Sequence, residues 1–130
     1  MTLIKAFLGA LVAFLVLDGL WIYFVVRPFY DSQVGDLLRE TPRWIPAALF
    51  YLAYIAGVIY LAVRPGLAAS SLATSIAAGA CIGALAYGTF TLTNYSVLKQ
   101  WTLGLVWTDI AWGTFLTAVV AAVGHIVARP

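Results

Sequence analysis

The chain has 130 residues, of which 64% are hydrophobic and only 9% charged, with a mean hydropathy of +1.00 and a formal net charge of +2. Soluble domains average roughly 45–50% apolar and about 25% charged residues, so a water-soluble globule of this composition would leave apolar surface that it has no charge to cover. The small net charge and the lack of any basic run also argue against a nucleic-acid partner, and the expected partner is the lipid bilayer itself. Four spans of about 20 residues with their connections fill this length as a single domain, so the expected fold class is all-α, an integral membrane four-helix bundle.

The first span is expected over residues 3–26, with Asp18 in its second half. Lys5 followed by an apolar run imitates a signal peptide, but apolar character continues past Asp18, so a retained span is expected. Arg27-Pro28 should end it, because proline lacks an N–H donor and disfavours helix at the residue before it. Residues 29–43 hold Asp31, Asp36, Arg39, Glu40 and Arg43. Leu37 and Leu38 among these polar neighbours suggest a short amphipathic connector along the membrane surface. It reads either as a solvated link or as a lid over a site on that face.

The second span is expected over residues 44–63, with Pro46 in its first turn, where a missing N–H costs little. Arg64-Pro65-Gly66 reads as a stop and a turn. The third span, residues 72–92, carries Gly79 with Gly83, and Ala80 with Ala84 and Gly88. These small-residue series let helix backbones approach closely in lipid and mark this span as the expected centre of tight packing. The lone Cys81 within it reads as a small packing residue and excludes a disulfide within the chain. The fourth span is expected over residues 103–127. His125, near its far end, has no companion at metal-ligand spacing.

The chemistry of the sequence is concentrated in two similar devices, Asp18-Gly19-Leu20-Trp21 in the first span and Asp109-Ile110-Ala111-Trp112 in the fourth. An ionisable group inside a membrane-length run is costly and by default marks a functional site. Spacing of i,i+3 puts acid and indole on one face of each helix, so Trp21 and Trp112 are expected to wall one cavity or to pack separately. Asp18 lies about eight residues from the end of its span, roughly 12 Å, and Asp109 about six residues into its own, roughly 9 Å, from the same membrane face. Tyr51, Tyr54, Tyr87, Thr91 and Asn94 fall at matching depth. One half of the bundle therefore gathers the buried polar groups, and the other is Ala, Val, Leu, Ile and Gly. If adjacent in low dielectric, two carboxylates do not both ionise readily, and one can then load a proton or hold a cation. The competing reading is a purely structural polar cluster.

No nucleophile elbow, phosphate loop or Cys-x-x-Cys occurs, so no catalytic residue, metal or cofactor is expected, and the chain reads as more a non-enzyme than an enzyme. The leading functional expectation is a small proton- or ion-coupled transporter built on Asp18, Asp109, Trp21, Trp112, Tyr51, Tyr54, Tyr87 and Asn94, working as a homodimer or in a larger membrane complex. The alternative is a non-enzymatic accessory or ligand-binding membrane subunit. An intramembrane lipid enzyme comes third, because it lacks a second acidic motif. Lys and Arg count three on the face of the termini against four on the other, which gives little bias, and the termini are taken as cytoplasmic.

The segments Leu17-Asp18-Gly19-Leu20-Trp21, Leu49-Phe50-Tyr51-Leu52-Ala53-Tyr54, Ala86-Tyr87-Gly88-Thr89-Phe90-Thr91-Leu92-Thr93-Asn94-Tyr95, Leu98-Lys99-Gln100-Trp101 and Thr108-Asp109-Ile110-Ala111-Trp112-Gly113-Thr114 together resemble a family of predicted four-helix bacterial membrane proteins catalogued as domain of unknown function twenty-one seventy-seven. The resemblance covers nearly the whole chain. It implies a multi-pass bundle in the bacterial inner membrane and carries over no activity, cofactor or catalytic residue.

Overall fold

The computed structural model describes residues 2–130 and contains four long helices: α1 (Thr2–Leu37), α2 (Trp44–Ala68), α3 (Leu72–Val97) and α4 (Leu103–Ala128). Each is long and apolar enough to cross a membrane, and no strand occurs among the described residues. The last two helices begin at hydroxyl caps. Ser71 Oγ accepts the Thr74 N–H at 3.1 Å, and Thr102 Oγ1 accepts the Leu105 N–H at 3.2 Å, so each satisfies one of the free donors that open a helix. Both then run for 26 residues, about 39 Å at 1.5 Å per residue, longer than the ~30 Å hydrocarbon core of a bilayer.

α3 and α4 form a tight hairpin. A Cβ at Gly83 would run into the Gly113 carbonyl, and one at Gly113 would run into the Tyr87 ring. Only glycine permits this backbone approach, which supplies packing where lipid offers no hydrophobic drive. The centre of the molecule is nonetheless α4 and not α3. Leu105, Asp109, Gly113, Leu116, Val120 and Gly124 are buried along it, because α3 covers one side while α1 seats Ala6, Ala10 and Phe14 against another. The small-residue face of α3 is therefore used inside the chain. Cys81 lies exposed on the outside of α3 and fills no internal gap.

Three expected helix ends are overrun, that of α3 by its running past residue 92 to Val97. α1 does not stop at Arg27-Pro28. It passes through a π-helical stretch, Ile22–Tyr30, and continues to Leu37. The wider turn absorbs the missing proline donor, and the Asp31 N–H reaches the carbonyls of Arg27 and Pro28. The expected surface connector is thus the outer end of α1. It folds over the α3–α4 turn, where Val34 packs with Trp101, Leu105 and Val106. α2 likewise continues past Val63 through a π-helical turn, Ile59–Val63, to Ala68. The reversal into α3 falls at Ser70, whose φ of 50° lies in the left-handed region.

Candidate functional site

Asp109 sits on the buried face of α4 and is 5% exposed. Its Oδ1 accepts the Tyr30 hydroxyl at 2.5 Å, a link spanning 79 residues from the outer end of α1. The Thr91 hydroxyl also faces this carboxylate, and Thr91 Oγ1 accepts the Trp101 indole N–H at 3.0 Å. The Tyr30 and Trp101 rings meet edge to face at 5.8 Å. Gln33 accepts the Thr102 hydroxyl at 2.6 Å beside them. Asp109 Oδ2 is buried without a hydrogen-bond partner.

Asp18 is different. It is half-buried on α1 and faces the Tyr51 hydroxyl of α2 and the Trp112 indole of α4. Neither group closes a hydrogen bond within 3.5 Å, and the buried Trp112 Nε1 has no partner. The two Asp-x-x-Trp devices converge through their indoles. Trp21 and Trp112 stack with centroids 4.2 Å apart and planes 4° from parallel. Phe14 packs between α1 and α2 with its ring 5.0 Å from Tyr51 and 6.2 Å from Tyr54. The Tyr54 hydroxyl pairs with Thr117 at 2.9 Å.

Tyr87 belongs to the surroundings of both acids. Pressed against Gly113, it is within electrostatic reach of Asp18, Asp109, Tyr51 and Tyr54. Each carboxylate faces its own donors, Asp18 the Trp112 indole and the Tyr51 phenol, Asp109 the Tyr30 and Thr91 hydroxyls. Asn94 stays apart as well. Its backbone carbonyl accepts the Leu98 N–H at the end of α3, and no side-chain hydrogen bond ties it to either acid among the described residues.

Asp18 lines a groove. This groove of about 1100 Å³ between α1 and the start of α2 runs from Asp18 and Tyr51 past Ile22 and Tyr23 to Arg27 and Arg39 at its mouth. Among the described residues, no three His, Cys, Asp or Glu side chains are gathered as metal ligands would be.

Two features escaped sequence reading. Tyr30 lies in the segment that reads as a solvated link or a lid, and nothing in its sequence surroundings singles it out as a partner of Asp109. The half expected to be purely apolar holds a polar pair: His125 Nδ1 lies 2.9 Å from Ser75 Oγ, which reaches the Ala62 carbonyl at 3.1 Å. Ala62 falls within the π-helical turn of α2, where the carbonyl ladder is disturbed and a hydroxyl from α3 can serve it.

No curated protein and no solved structure matches the chain. Residues 3–126, nearly its whole length, match the family model described as predicted membrane protein (DUF2177), and the chain belongs to that family.

Proposed function

We propose that this four-helix membrane protein is a ligand-binding protein whose site is the groove between α1 and α2, with Asp18 as its deep polar contact. One observation carries this reading. Asp18 lines a groove of about 1100 Å³, whereas Asp109 is buried, and mostly apolar clefts with a few placed polar groups are the usual form of small-molecule sites. Asp109 is engaged by Tyr30 and serves to hold the bundle.

A test is native mass spectrometry of the protein released from detergent with a long-chain alcohol as probe. The parent chain retains the alcohol, and Ile22→Trp, which fills the groove wall, loses it. Equal retention by both defeats the assignment.

Proton- or ion-coupled transport is a second reading, favoured by Tyr87, which lies within reach of both carboxylates. Alternating access with four helices would call for a homodimer. In proteoliposomes, Asp18→Asn and Asp109→Asn would then both abolish proton flux, and flux that survives both ends this reading. The proposed setting is the bacterial inner membrane with the termini in the cytoplasm, which puts the groove mouth on the outer side. A C-terminal reporter active only outside the cytoplasm would reverse that orientation.

A further inference from the structure

The ligand class follows from how Asp18 is surrounded, and this step rests on the groove being the binding site. A carboxylate at membrane depth needs compensation for its lost hydration. The groups that act on Asp18 are the Trp112 indole and the Tyr51 phenol, with no Lys or Arg among them. Arg27, the next basic residue of the groove along α1, is nine residues farther on, about 13 Å along the axis. At the mouth, Arg27 and Arg39 are offset by Asp31 and Glu40, so the mouth has no preferred sign and Asp18 alone sets the charge preference of the deep end.

Small inorganic ions do not suit this place. A hard cation such as calcium takes about 6–8 oxygen ligands, whereas the deep end offers a carboxylate and one phenol between walls such as Leu15 and Ile22. A large organic cation meets the conditions better. Its charge is spread over an apolar body, so it gives up little hydration, and Tyr51, Tyr23 and Trp44 present aromatic rings along the groove. We propose that the α1–α2 groove binds a lipophilic organic cation, with its charge against Asp18 and its apolar body along Leu15, Ile22, Tyr23 and Trp44.

The test uses two probes of nearly equal shape and opposite charge, tetraphenylphosphonium and tetraphenylborate, with the purified full chain in a neutral detergent and equilibrium dialysis as the readout. Saturable binding of the cation and none of the anion is expected. Asp18→Asn should weaken the cation by at least about tenfold, and Asp18→Glu should stay within about threefold of the parent. Equal binding of both probes overturns the proposal, as does unchanged cation binding by a folded Asp18→Asn protein. If Asp18→Asn does not fold, the comparison of the two probes on the parent chain and on Asp18→Glu still decides. Retention of the neutral alcohol without cation binding refutes the cation class and leaves the groove standing. Loss of both, with Ile22→Trp indistinguishable from the parent, removes the groove reading and this proposal together.

Discussion

The two intramembrane aspartates occupy similar sequence devices and opposite kinds of surroundings. Asp109 is closed in, with a tyrosine hydroxyl on one oxygen and the α1 extension folded over it. Asp18 is half-buried, lies along a groove, and has donors facing it at a distance. The same residue pattern therefore yields a fastening in one place and an open contact in the other. What separates them is the neighbouring backbone: the overrun of α1 past Pro28 brings Tyr30 to Asp109, while the start of α2 stands off from Asp18.

Substitutions sharpen or break this contrast. The largest effect is expected from Gly113→Leu, because Tyr87 rests on Gly113 and lies within reach of both acids. Overpacking here should cost on the order of 3 kcal/mol, read as a lowered unfolding midpoint in detergent. A parent-like midpoint would mean that the α3–α4 approach is loose. Asp109→Ala comes next, at about 1–3 kcal/mol, because it strands the Tyr30 hydroxyl in the interior. Tyr30→Phe should cost about 1 kcal/mol and speed hydrogen exchange in residues 29–37, while exchange in α3 stays as in the parent. The smallest effect is expected from Asp18→Asn, within about 0.5 kcal/mol of the parent, since no closed hydrogen bond is lost. If thermal melts show Asp18→Asn to be as damaging as Asp109→Ala, the distinction between the two acids collapses.

The four helices were legible because apolar length is a one-dimensional property. The stacking of Trp21 on Trp112 was legible only in part, since the i,i+3 spacing puts each indole on the face of its acid but leaves open whether the two share a wall or pack separately. The course of α1 past Pro28 was not legible. The local rule for proline is sound, but it is overridden by contacts from residues 79 and 69 positions away, Tyr30 to Asp109 and Gln33 to Thr102. The different surroundings of the two acids were hidden for the same reason: depth along a helix says nothing of rotation about it, and α1 and α4 turn their carboxylates to different donors. His125 and Ser75, 50 residues apart, each look like an isolated polar residue until α3 and α4 are laid side by side.

The seat of α1 on α4 has a consequence for synthesis. α1 is made before α4 and packs chiefly on it, and the phenol that fastens its outer end waits 79 residues for its acceptor. At ~5–20 residues per second, that interval is on the order of 4–16 s. Throughout it the nascent N-terminal segment holds Asp18 and Tyr30 in the membrane without the surface that will receive them, so a chain halted before α4 leaves that segment for quality-control proteases to find.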